Sequence, residues 1–246
     1  MRSPRILILD PLMAKDILVD NFKNFRENEF SKMIDTKNDP LLSRNPFLSR
    51  GDEWKERRNE ISPAFSSIRM KALYPLIENV CDRLSKFISE NLDEPFEAKE
   101  LSTKFTTEAV MNCVYGIEAN ALQKHDSEMR TMSKRLTKPS GLAIFKILLT
   151  TMIPPLKVFL KVQFIDDDVN SFFINLLSQA LDFRKTSKIN QTDYLDYLIT
   201  LQKKKGLSNT SLAAHSTTFF SDGIETSSLL ITYMLFEVID CSICLK

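Results

Sequence analysis

Apolar residues recur along most of this chain with the period of a helix. Leu73, Leu76, Ile77, Val80, Leu84, Phe87 and Ile88 predict one apolar face on a helix about four turns long. Leu101, Phe105, Ala109, Val110, Cys113 and Val114 repeat the pattern, as do Val169, Phe172, Phe173, Leu176, Leu177, Ala180 and Leu181. Three core-facing helices are expected. Arg5 to Leu9 reads as a short buried strand ended by Asp10-Pro11, and Leu12 to Val19 continue from that turn in helical spacing. Residues 36–50, with Pro40, Pro46 and two asparagines, hold no period and read as a loop. The last element runs from Ser208 to about Ile239 without proline, and at about 1.5 Å per residue it would be roughly 48 Å long. Its middle is polar: Thr217, Thr218, Ser221, Asp222, Gly223, Glu225, Thr226, Ser227 and Ser228 lie between apolar flanks.

Composition agrees with a helical body. The chain has 246 residues, 43% of them hydrophobic, with 17 Phe and 9 Met but only 5 Gly, too few for a turn-dense all-β fold. Nothing in the middle looks like a flexible linker, so a single unit is expected. Against 33 basic side chains stand 32 acidic ones, a net charge of +1 with no basic stripe, which argues against nucleic-acid binding. Four cysteines at 81, 113, 241 and 244 are too few and too irregular for a secreted disulfide framework, so a reducing compartment is expected. Arg2 and the break at Asp10-Pro11 disfavour a signal peptide or membrane span at the start. The longest apolar stretches, Leu142 to Ile153 and Leu229 to Ile239, each carry a charge and are too short to cross a bilayer.

Three places carry candidate chemistry. Gly223 inside the last helix costs about 1 kcal/mol relative to alanine and lets something approach the backbone. The hydroxyl of Thr226, three residues on, can bond the carbonyl at i−4 and weaken the helix ladder there. A purely structural kink reads the same way. Trp54 and Arg58, four residues apart, share a helix face on which an indole N–H and a guanidinium can donate to one anionic group; a Trp anchoring the helix under a stacked Arg has the same spacing. Gly141 to Val162 interleaves Lys146, Lys157 and Lys161 with Leu, Ile, Phe and Val around Pro154-Pro155. That suits a segment resting on a lipid headgroup layer, and equally a half-buried connector. Cys241-x-x-Cys244 lacks the second cysteine pair of a closed zinc site, His125 and His215 stand alone, and Cys81 and Cys113 fit the apolar patterns as core thiols.

Trp54-x-x-x-Arg58, followed by Ser62-Pro63-Ala64-Phe65-Ser66, Arg69-Met70-Lys71 and, far downstream, Phe219-Phe220-Ser221-Asp222-Gly223-Ile224-Glu225-Thr226-Ser227-Ser228, resembles a cytochrome P450. This is a haem-thiolate monooxygenase family, and the branch resembled is the microsomal insect detoxification type. The resemblance runs from Arg5 to about Glu237, Asp10-Pro11 and Asp193-Tyr194-Leu195-Asp196 included. It implies a mainly α, incomplete cytochrome P450 fold with a small N-terminal β element. Residues 1–246 would form a partial catalytic domain, roughly its middle half, with a divergent tail from about 238.

The resemblance also implies roles. Trp54 and Arg58 would hold the haem propionates, and Gly223 would open the long helix over the haem. Thr226, assisted by Glu225, would position water and deliver protons for dioxygen activation. Asp222 stands where the family usually has Ala and adds a carboxylate beside that route. Phe47, Leu48, Phe219 and Phe220 would line an apolar substrate pocket. The reaction implied is insertion of one oxygen atom from dioxygen into an apolar small molecule, with electrons from an NADPH-dependent reductase at the cytoplasmic face of the endoplasmic reticulum membrane. The family's axial cysteine loop and its Glu-x-x-Arg helix have no counterpart in these residues, so no metal ligand is assigned and no turnover is expected of the chain as given. A non-catalytic truncated product, or a helical interaction protein without haem, is the alternative.

Overall fold

A computed structural model describes residues 6–27, 38–93, 95–122, 128–138, 140–153, 155–156, 159–160, 163–187 and 192–240. Its α-helices are α1 (Pro11–Lys15), α2 (Phe22–Phe25), α3 (Gly51–Ile61), α4 (Ser67–Ser89), α5 (Ala98–Tyr115), α6 (Glu128–Thr137), α7 (Gly141–Met152), α8 (Asp167–Ser187), α9 (Tyr194–Lys205) and α10 (Asn209–Asp240). The expected loop at 36–50 contains two tight 3-10 turns, Pro40–Leu42 and Pro46–Leu48, each opened by its proline; residues 36 and 37 lie outside the described residues.

Local chemistry sets the helix ends. Asp10 caps α1, accepting the Met13 N–H at 2.8 Å, with Pro11 at the first helical position, where a missing N–H costs nothing. Glu97 accepts the N–H groups of Lys99 and Glu100 at the start of α5. Asp193 accepts from Asp196 at 3.0 Å and starts α9. Both α5 and α9 stop at a glycine with φ +66°, the left-handed conformation that a side chain disfavours.

The core forms where α5 packs along α10 and where α8 and α9 close over them. Met111, Val114 and Tyr115 of α5 meet Leu212, Phe220 and Ile224 of α10, with Phe173, Leu177 and Leu181 of α8 and Leu195 and Leu198 of α9 in the same cluster. The period of α8 translates for the most part: Val169, Phe173, Leu177, Ala180 and Leu181 are buried, and Phe172 and Leu176 are half-buried against the same core. The expectation for α5 does not hold in detail. Leu101, Phe105, Ala109, Val110 and Cys113 are only half-buried, while Ser102, Thr106, Thr107 and Glu108 are closed off, because α10 covers one side of α5 and α4 the other. A helix covered on two sides buries more than its apolar stripe. The α4 face is also less enclosed than its pattern suggests: Val80 is its one buried residue, Ile77 is exposed, and Cys81, read as a core thiol, is exposed as well.

No strand occurs among the described residues, which corrects the small N-terminal β element. Ile6 to Leu9 has no regular structure and Ile6 is 88% exposed. A strand needs a neighbour for its N–H and C=O groups, and no described segment pairs with this one; Arg5 lies outside the described residues. Among the described residues no helix is long and apolar enough to cross a membrane.

Candidate functional site

The long helix α10 runs from Asn209 to Asp240 without a break, so the polar middle does not interrupt it. The expected local bond is there: the Thr226 hydroxyl donates to the Asp222 carbonyl at 2.6 Å. Asp222 and Thr226 are both exposed and, at about 100° of helix rotation per residue, lie about 40° apart on one face. Ile224 and Ser228 on the opposite face are buried against the core. The face of Gly223 is occupied. A Cβ there would sit 3.0 Å from Val110 Cγ2 of α5, so what approaches this backbone is a neighbouring helix.

Glu225 points along the rim between these faces. Its carboxylate lies 3.0 Å from the Lys99 ammonium of α5, which also donates to the Ser228 hydroxyl at 2.6 Å. A cavity of about 230 Å³ opens beside it, lined in part by Thr103, Thr107, Arg130 and Ser133. No cation among the described residues pairs with Asp222. Loss of surrounding water lifts its carboxyl above the ordinary value, and the hydrogen bond from Ser221 offsets this only in part.

On α3, Trp54 is half-buried with its ring 5.4 Å from that of Phe22, so the anchoring half of the sequence reading is realised. Arg58 follows on the same face, exposed, and its guanidinium takes part in no ion pair among the described residues. Arg57, by contrast, lies within 4 Å of three carboxylates, Glu53 at 3.6 Å, Glu56 at 3.4 Å and Glu60 at 3.5 Å. The free guanidinium and the indole N–H suit an anionic group such as a propionate.

The four apolar candidates separate. Phe47 is exposed and Leu48 buried. Phe220 belongs to the core, fully enclosed between Tyr115 and Phe173 with ring centroids 6.3 and 5.2 Å away, because its face of α10 looks at α5 and α8. Phe219 stacks on Tyr194 at 3.9 Å and Phe65 at 4.7 Å, and borders an apolar cavity of about 30 Å³ with Ala64, Met70 and Cys113. Cys113 is half-buried, and burial first, then the charge of Asp193, pushes its thiol up to about 11.

Sequence reasoning missed one cluster altogether. His215, read as isolated, is fully buried with Nε2 2.9 Å from Oε2 of Glu60 on α3. The Glu60 carboxylate also accepts from Arg44 at 3.0 Å and Lys205 at 3.0 Å, and the Tyr197 hydroxyl donates to the Glu60 carbonyl. Burial alone would raise this carboxyl; the bonds from His215 and Lys205 and the charge and bonds of Arg44 overcome it and hold Glu60 well below the usual carboxylate range. The sequence signal was faint: a glutamate ending a polar helix and a histidine among alanines, 155 positions apart.

The structure therefore gathers Asp222, Gly223, Glu225 and Thr226 on one stretch of α10, and Trp54 with Arg58 on one face of α3. It does not put the two groups in one cavity. The helices touch through Glu60 and His215, and Thr226 lies eleven residues further along α10, about 16 Å at the helical rise. Among the described residues no three His, Cys, Asp or Glu side chains could hold a metal ion; His125, Cys241, Cys244, Lys157 and Lys161 lie outside them.

Comparison with known proteins gives this arrangement a family. Residues 1–241 match the cytochrome P450 family. Among curated proteins, the chain is 36% identical over 240 residues to "Probable cytochrome P450 28d1" of Drosophila melanogaster, covering 95% of this chain and 48% of that protein. It is 32% identical to "Probable cytochrome P450 28a5" of the same fly, covering 96% and 49%, and 29% identical to "Cytochrome P450 6k1" of Blattella germanica, covering 96% and 49%. The chain spans about half the length of these relatives. With the matched residues covering nearly its whole length and its helices built around the Trp54–Arg58 and Gly223–Thr226 motifs, the chain belongs to the cytochrome P450 family.

Proposed function

We propose that the chain carries part of the site of a haem-dependent monooxygenase that inserts one oxygen atom from dioxygen into apolar small molecules. The observation that carries this reading is the Thr226 hydroxyl bonded to the Asp222 carbonyl on the open face of α10, with two carboxyl groups within a turn. Haem, when bound, supplies the electron and dioxygen chemistry that protein side chains lack. The residues fit it in part. Trp54 and Arg58 offer unengaged donors to a propionate, whereas the Gly223 backbone is already covered by Val110 and is better explained by helix packing. Thr226 orients water on its face, and a neighbouring carboxyl holds the proton to be passed on. Phe219 and Phe47 are the apolar candidates left to contact substrate once Phe220 and Leu48 are placed in the interior.

Electrons would come from an NADPH-dependent reductase, and the place of action would be the cytoplasmic face of the endoplasmic reticulum membrane. Supporting a lipid contact, α7 holds Leu142, Phe145, Leu148 and Met152 exposed on its surface around Lys146. The test is a haemin titration of the chain followed by absorbance. Saturable uptake that weakens in Arg58→Ala supports the reading, and equal uptake by both proteins removes Arg58 from it. A second reading, a helical interaction protein without haem, is favoured by the exposed apolar run from Leu229 to Ile239 on α10; it predicts a stable complex with a protein partner and no haemin uptake.

A further inference from the structure

The face of α10 that carries Thr226 begins at His215. At about 100° of rotation per residue, His215, Phe219, Asp222 and Thr226 fall in one stripe roughly 60° wide. The stripe is closed at His215 and open at Asp222 and Thr226. Its first part is covered by α3 and the turn that follows it: Glu60 meets His215 at 2.9 Å, and Phe65 stacks on Phe219 at 4.7 Å. On the other side of α3, about 200° round from Glu60, Arg58 is exposed. On the reading of Arg58 as a propionate donor, we propose that Glu60 and His215 are positioning residues: they fix the end of α3 on the Thr226 stripe of α10, and so set where Arg58 presents its guanidinium relative to Thr226.

Two properties suit the pair to placing α3. Apolar side chains tolerate sliding, whereas the Glu60 carboxylate is satisfied in one placement, with His215 of α10 at 2.9 Å and Arg44 before α3 and Lys205 of α9 each at 3.0 Å. Such a buried cluster is a weak source of net stability, because desolvation offsets its attraction, and a strong constraint on register. The main chain is held at the same point. The Tyr197 hydroxyl of α9 donates to the Glu60 carbonyl, and the Ser62 hydroxyl donates to the Arg58 carbonyl at 2.7 Å. Both carbonyls lie in the last turn of α3, where the helix supplies few N–H partners. The backbone that carries Arg58 is thus fixed to α9 and to its own helix end, and the Glu60 side chain fixes it to α10.

The test uses the 246-residue chain without and with haemin, so that a failure of haem binding and a failure of this assignment are read separately. Without haemin, spin labels on p-acetylphenylalanine at two exposed positions, Lys55 of α3 and Ser227 of α10, report the distance between the helices by pulsed electron paramagnetic resonance. A single narrow distribution is expected, and it should persist in His215→Gln, whose amide N–H also donates to Glu60. It should broaden about twofold in His215→Leu and in the milder His215→Asn, whose amide is too short to reach Glu60. A role in stability alone would lower the urea midpoint of these two variants and leave the distribution narrow. With haemin, Arg58→Ala is expected to weaken uptake about tenfold in the unsubstituted chain and in His215→Gln, but less than about threefold in His215→Leu or His215→Asn, as coupled positions do. A chain that takes up no haemin overturns the proposed function, and the label distances then decide the placement by themselves. Distributions as narrow in His215→Leu and His215→Asn as in the unsubstituted chain would overturn the assignment, as would an Arg58→Ala effect of equal size in all backgrounds.

Discussion

Nε2 of His215 lies 2.9 Å from Oε2 of Glu60, and both side chains are closed to solvent. This pair joins α3 to α10, and with Arg44 and Lys205 on the same carboxylate it ties four separate stretches of chain together. Among the described residues the Nδ1 atom of His215 has no hydrogen-bond partner.

Removing the carboxylate should therefore be costly. Glu60→Ala leaves Arg44, Arg57 and Lys205 around a buried site without its anion, and a loss of about 3–5 kcal/mol is expected, read as a fall in the urea midpoint. Glu60→Gln keeps the volume and two hydrogen bonds and should lose less. The pH dependence follows from the direction of the shift. Glu60 is held below its ordinary 4.5 in the folded chain, so the unfolded chain binds more protons below that value. Its stabilisation is complete above pH 4.5 and declines as pH falls towards the lower folded value, and Glu60→Gln should flatten the acid limb of a stability profile.

Gly223 gives a packing prediction. A Cβ there would meet Val110 Cγ2 at 3.0 Å, and a larger side chain meets it harder. Gly223→Val is expected to destabilise by about 1–3 kcal/mol through overpacking. Val110→Ala in the same chain should recover most of that loss. A double substitution no better than the single one would show that the contact between α5 and α10 is not what requires glycine.

The cysteines bear on haem ligation. Cys113 is half-buried, and burial holds its thiol up at about 11, so it is a poor source of free thiolate at neutral pH. The chain with haemin, dithionite and carbon monoxide is expected to lack the absorption band of thiolate-ligated haem. Appearance of that band would direct attention to Cys241 and Cys244, tested by replacing each with serine.

Helix α7 makes the proposed membrane contact measurable. Leu142, Phe145, Leu148 and Met152 are exposed together, and burying one such side chain is worth about 1.5–3 kcal/mol. Phe145→Ser should lower binding of the chain to phosphatidylcholine vesicles about tenfold in a sedimentation assay. Leu92→Ser, exposed after the end of α4, should leave it unchanged. Equal losses from both substitutions would place the contact elsewhere.

Periodicity by itself determined that α8 and α10 are helices and which face of α8 is buried, because apolar spacing and rotation per residue are local properties. Spacing likewise anticipated the bond from Thr226 to the Asp222 carbonyl, which closes within one turn. The motif residues Trp54, Arg58, Gly223 and Thr226 were legible in the same way, as neighbours along single helices. What surrounds them was decided by tertiary structure. That Val110 covers Gly223, that Lys99 takes Glu225, and that Phe220 faces inward while Phe219 borders a cavity depend on which helix lies alongside, and one helix's pattern does not encode its neighbour's position. The Glu60–His215 pair shows this most fully. Each residue alone reads as an unremarkable polar position; burial, which forces a charge to find partners, acts only once α3, α9 and α10 have packed.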